Sequence, residues 1–138
     1  MAITDTNSVI RAYLITQPLL TTLLTNADGT FRIYCPRLPE NATLPAISFF
    51  TRGGISTPYI PGIPSPSVQF DCWASDSITA RKIYNKLYDA LQGIQGVTVG
   101  AYTILSAIEE VQGQDLVDSE IPNYFRVFAF FSIMIRAE

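Results

Sequence analysis

Residues 68–76 read VQFDCWASD, and the fold turns on whether this stretch is a reactive site or a strand handing over to a helix. Asp71, Cys72 and Trp73 set a carboxylate, a thiol and an aromatic ring side by side. Alternation separates them. Val68, Phe70, Cys72 and Ala74 share one side of an extended chain, and Gln69, Asp71 and Trp73 share the other. A catalytic cysteine needs a base to form its thiolate, usually histidine. The chain has no histidine, which excludes Cys-His dyads, Ser-His-Asp triads and the commonest metal ligand together. Cys72 therefore reads as a small core thiol. Asp71 reads as the partner of an arginine on a neighbouring strand or subunit, Arg126 or Arg52. Ser75, Asp76 or Ser77 supplies the N-cap of the following helix.

That helix covers residues 77–92. Ala80, Ile83, Tyr84, Leu87, Ala90 and Leu91 form its apolar stripe, and Gly93 ends it. Upstream, residues 5–25 are helical, with Val9, Ile10, Tyr13 and Leu14 on one face. Pro18 ends the first segment near Thr16 and opens a second. FRIYC (31–35) and AISFFTR (46–52) are strands, as is VQFDCWA (68–74). Between Gly53 and Ser67 lie three glycines and four prolines, the composition of a long loop or an open hairpin arm. One more strand lies within 97–110, with Gly100 as a bend or bulge, and YFRVFAFFSIMIR (124–136) is the last. The expectation is an α+β fold: an antiparallel sheet of four to five strands with two helical segments packed on one face. A single domain over residues 1–138 carries the arm at 53–67 and an acidic loop at 109–122.

The last strand is apolar on both faces. Phe125, Val127, Ala129, Phe131, Ile133 and Ile135 suit a core beneath the helices. The opposite face carries Phe128, Phe130 and Met134, with Phe50 and Trp73 on the same side by alternation. Each large apolar side chain gains roughly 1.5–3 kcal/mol on burial, so this second face calls for a cover. Either part of the chain folds back over it or another subunit does. The composition favours a subunit: 48% of the 138 residues are apolar and only 15% charged, too little polar material for a monomer's shell. Phe50, Asp71, Trp73, Phe128, Phe130 and Met134 are the candidate subunit interface.

The remaining motifs exclude more than they assign. The net charge is −3, with nine Lys and Arg spread thinly, which is no footprint for nucleic acid. Cys35 and Cys72 cannot make a zinc site alone, and no CxxC pair exists. Asn26-Ala27-Asp28-Gly29 lacks the later ligands of a calcium loop. Gly93, Gly96 and Gly100 follow a helix, where a dinucleotide fingerprint would open one. No cofactor, no metal and no catalytic set is expected. The N-terminal residues show no secretory signal, and Val127–Ile135 is too short to span a bilayer, so a soluble cytoplasmic product is expected. Tyr59, Ile60 and Ile63 make the arm a candidate partner contact. Glu109, Glu110, Asp115, Asp118 and Glu120 place five of twelve acids in one stretch, either a solvated loop or a negative rim or pore lining.

Taken in order, these stretches resemble a family. RIYCPRLPENATLPAISFF (32–50), VQFDCWASD, the helix ending at Leu91, IRAYLITQPLLTTLL (10–24) and the final aromatic strand resemble the tail-completion proteins of long-tailed bacteriophages, also called tail terminators or tail-to-head joining proteins. The resemblance covers nearly the whole chain, although each motif is short. It implies a non-enzymatic virion protein assembled in the host cytoplasm. Six copies would form a ring that caps the tail tube, joins it to the head-side connector and lets DNA pass through. A head-completion or stopper protein or a minor tail protein of the same particle is the near alternative. A small ligand-binding domain, or a small enzyme pairing Asp71 with a distant acid, comes from a different class.

Overall fold

A computed structural model describes residues 5–39, 43–55, 63, 65–117 and 124–137. The chain opens with helix α1 (Thr6–Leu14), whose N-cap Asp5 accepts a hydrogen bond from the Ser8 amide. Helix α2 (Pro18–Leu24) starts on its proline, which has no amide hydrogen to leave unpaired there. Strands β1 (Ile33–Tyr34), β2 (Ala46–Ile55) and β3 (Ser65–Ala74) follow, then helix α3 (Ser77–Leu91) and strands β4 (Gln95–Val99), β5 (Tyr102–Val117) and β6 (Phe125–Ala137). Asp76 is the cap of α3, accepting from the Thr79 amide at 2.7 Å.

The sheet corrects the expected fold class. It has six strands in the order β1-β2-β3-β6-β5-β4, and β1 pairs with β2 in parallel while the other pairs are antiparallel. Strand dominates, 49% against 27% helix, in a curled half-barrel with three helices. Two local causes account for the extra strand and the added strand length. Gly100, at φ +59°, closes a two-residue turn between Val99 and Tyr102, so it separates two strands instead of bending one. Strand β5 then runs on through the expected acidic loop: Glu109, Glu110 and Asp115 are strand residues. The expected arm is also partly strand, since Gly53–Ile55 end β2 and Ser65–Ser67 begin β3.

The parallel β1 depends on Arg32. Its guanidinium donates to the carbonyls of Leu23 (2.9 Å) and Thr25 (3.2 Å), to Asn26 Oδ1 (2.9 Å) and to the Pro45 carbonyl (2.8 Å). One side chain thus ties the end of α2 and the next turn to the residue that enters β2.

The inner sheet face and the helices share one core. Ile47, Phe49, Val68, Phe70, Cys72, Val127, Ala129, Phe131, Ile133 and Ile135 are buried there with Ile83, Leu87 and Leu91 of α3 and Ile10 and Leu14 of α1. The Phe49–Phe70 and Phe70–Phe131 ring centroids are each 5.6 Å apart. Strand β5 bears register shifts at three places along β6, which strengthen the local twist and curl it toward α3. Gly113 allows a close approach of β5 to α3: a Cβ there would meet Arg81, Tyr84 and Val127 at 2.8 Å each.

Beyond β4, the outer edge of β5 is occupied by α3 and its end. The Ala107 carbonyl accepts from the Gly93 amide (3.0 Å), the Glu109 amide donates to Gln92 (2.7 Å), and the Gly113 carbonyl accepts from Arg81 (3.1 Å). These contacts occupy backbone groups that a foreign strand could otherwise pair with.

Candidate functional site

The strand registers place side chains on the outer face in rows. Phe50 stands opposite Gln69, Gln69 opposite Phe130, and Phe130 opposite Val111. The next row is Ser48, Asp71, Phe128 and Gln114, and the next contains Trp73, Arg126 and Leu116. Met134 lies further along β6, with Ile108 opposite Ser132 on β5. Phe50, Trp73, Phe128, Phe130 and Met134 therefore come together on one surface, as the alternation of their strands requires. Phe50, Trp73, Phe128 and Phe130 are half-buried. Met134 is 38% exposed, and so are Ile108 (56%), Val111 (40%) and Leu116 (41%).

Ile108, Val111 and Leu116 widen the surface beyond what the sequence suggested. Their stretch, IEEVQGQDL, alternates poorly because register shifts fall between Glu109 and Val111 and between Val111 and Gln114. Each shift changes which residues face outward.

Arginines cover the outer rings. Arg52 lies 4.0 Å from the Phe130 centroid, and Arg126 lies 5.2 Å from that of Trp73 and 5.7 Å from that of Phe128. At these distances the guanidinium is attracted to the negative face of each ring. Phe128 and Phe130 meet edge to face at 5.9 Å, as do Trp73 and Tyr124 at 6.3 Å. Trp73 Nε1 donates to the buried Ser48 hydroxyl at 2.9 Å, which fixes the indole plane.

Asp71 takes a different place from the one expected of an interface residue. It is only 4% exposed, so it lies beneath the surface. Arg126 is 3.6 Å away, and the Gln69 amide donates to the carboxylate at 3.2 Å. Of the two arginines considered as its partner, Arg126 fills the role, while Arg52 is stacked on Phe130. Burial raises the Asp71 pKa above the ordinary carboxylate range, opposed by the Gln69 hydrogen bond and the Arg126 charge. Cys72, on the inner face, is fully buried, and desolvation pushes its thiol far above the usual range. Such a thiol does not form a thiolate near neutral pH.

Each described acidic residue of this stretch has its own local partner. Glu109 accepts from the Tyr84 hydroxyl, Glu110 from the Ser67 hydroxyl (2.7 Å), and Asp115 lies 3.8 Å from Arg81. Burial and the Glu109 contact lift Tyr84 to about 12. Asp115 and Glu109 face α3, whereas Glu110 reaches Ser67 of β3. Asp118 and Glu120, and in the arm Tyr59 and Ile60, lie outside the described residues. Ile63 is half-buried.

Two open grooves of about 320 and 380 Å³ flank α3; Arg81 and Asn85 line both, with Tyr84 and Tyr88 in one and Ile78 and Asp115 in the other. Among the described residues no group of three or more His, Cys, Asp or Glu side chains is placed to hold a metal ion. No described helix is long and apolar enough to cross a membrane. No protein-family model matches the chain, and no curated protein matches it.

Proposed function

We infer that this chain is a structural assembly protein whose copies form a ring through the outer face of the sheet. Within that class we favour the tail-completion ring of a long-tailed phage, which terminates the tail tube and joins it to the head-side connector. One observation carries the reading: Phe50, Trp73, Phe128, Phe130, Met134, Ile108, Val111 and Leu116 line the sheet face opposite the core, and four of them are more than one-third exposed. Left in water, such a surface forgoes roughly 1.5–3 kcal/mol for each large side chain that could be buried. Surfaces of this kind mark sites of association.

Topology supports the ring. The β2–β3 connection leaves the sheet at the Ser65 end of β3, and the β5–β6 connection leaves it at the Ala74 end. A subunit built this way can meet its ring neighbours through the sheet face and different axial partners, tube and connector, at its two ends. The number six, and DNA passing through the centre, come from the family resemblance of the sequence.

Native mass spectrometry of the purified chain at micromolar concentration, with negative-stain imaging, tests the reading. The expected result is a closed ring of identical copies. A monomer at that concentration overturns ring formation by the chain alone. A ring found anywhere but the head–tail junction of a particle overturns the tail-completion assignment.

A further inference from the structure

Asp71 is a buried carboxylate in the middle of a largely aromatic and aliphatic surface, and it contributes little contact area of its own. Its position beneath Arg126 gives it another use. Arg126 pairs with Asp71 at 3.6 Å and lies over both Trp73 and Phe128. Its side chain is 31% exposed, against 6% for that of Asp71. A subunit seated on this face therefore buries Arg126, and Asp71 is the charge that compensates it.

Resting on the ring reading, we propose that Asp71 is a positioning residue for assembly: it holds Arg126 over Trp73 and Phe128 and neutralises the guanidinium when a second copy covers it. The groups facing Asp71 are Arg126 and Phe128 of β6, Ser48 of β2 and Gln69 of its own strand, with Gln114 of β5 next in the row. Arg126 is the only charged group among them. Breaking a buried pair from one side leaves the other charge uncompensated, which is far more costly than removing both.

Acid discriminates this role from a general structural one. Protonating Asp71 leaves Arg126 charged without a counter-charge, so mild acid opens the ring. The fold of the subunit responds in the opposite sense. A carboxyl whose pKa is raised in the folded state contributes stability below its unfolded value and loses it as pH rises through the folded value. Loss of assembly on mild acidification is then not a consequence of Asp71 unfolding the chain.

The test follows ring dissociation by mass photometry across pH in the wild type, Asp71→Asn and the double variant Asp71→Asn/Arg126→Gln, with thermal melts of each. Asp71→Asn is expected to weaken assembly about tenfold or more, to keep a cooperative melt and to lose the acid dependence. The double variant is expected to recover much of the assembly. Wild-type assembly that is unchanged by Asp71→Asn, or a double variant no better than the single one, overturns the inference alone. A wild-type chain that never assembles overturns the ring reading and this inference with it.

Discussion

The two faces of the sheet are nearly matched in aromatic content and differ in what lies over them. Inside, Phe49, Phe70 and Phe131 are completely buried, ring on ring. Outside, Phe50, Phe128, Phe130 and Trp73 are half-buried, with guanidinium groups over Phe130, Trp73 and Phe128. Hydrophobic residues thus do two jobs on the same strands. Those inside hold the subunit together, and those outside form the surface proposed for assembly. Phe70→Ala should cost about 3–5 kcal/mol of folding stability, read from urea unfolding. Phe128→Ala removes the same side chain from the outer face and should cost the subunit about 1 kcal/mol while disrupting assembly. Equal losses of stability would erase the distinction between the faces.

The curl of the sheet separates the faces further, because it wraps β5 toward α3 on the inner side only. Gly113→Ala tests that wrap. Its new Cβ would press on Arg81, Tyr84 and Val127. Arg81 can move, but Tyr84 and Val127 are buried. We expect a loss of about 1–3 kcal/mol, the usual range for overpacking, measured as a lower denaturant midpoint. An unchanged midpoint would mean that β5 can draw away from α3 freely.

The inner face was legible because its periods are regular. The stripe of α3 from Ala80 to Leu91 and the alternation from Val127 to Ile135 are uninterrupted, and the structure buries both sets. The aromatic half of the outer face was legible from the same alternation. Its β5 half was not. Three register shifts break the period there, and acids that suggest a loop are accommodated by local partners: Glu109 by Tyr84, Glu110 by Ser67 and Asp115 by Arg81. The parallel β1 was equally hidden, since a two-residue strand has no period and its anchoring by Arg32 is a tertiary fact. Asp71 was assigned to the right face, but its burial was not legible, because alternation gives direction and not depth.

Cys72 and Trp73 are sequence neighbours on opposite faces, which makes them the smallest controlled comparison. Cys72→Ala removes one buried sulfur from the core and should cost about 1 kcal/mol of stability, leaving assembly unchanged. Trp73→Ala removes the indole and leaves the Ser48 hydroxyl without its donor; it should weaken assembly more than Cys72→Ala does. Thermal melts paired with mass photometry read both effects. The reverse order would reverse the assignment of faces.

The smallest effect concerns carboxylates at the surface compared with the one beneath the outer face. Asp5, Asp28 and Asp76 each accept a backbone amide hydrogen and a side-chain hydroxyl, which holds their pKa values below the ordinary 3.8. Their stabilisation is present above 3.8 and is lost as pH falls through the lowered folded values. Asp71 has the opposite sign, so mild acid discharges it while the caps still hold. Asn caps a helix about as well as Asp does but does not titrate. Asp76→Asn should therefore melt close to wild type at neutral pH and lose less stability on acidification below pH 4. Parallel acid melting slopes for wild type and Asp76→Asn would show that the cap of α3 acts through its hydrogen bonds alone and not through its charge.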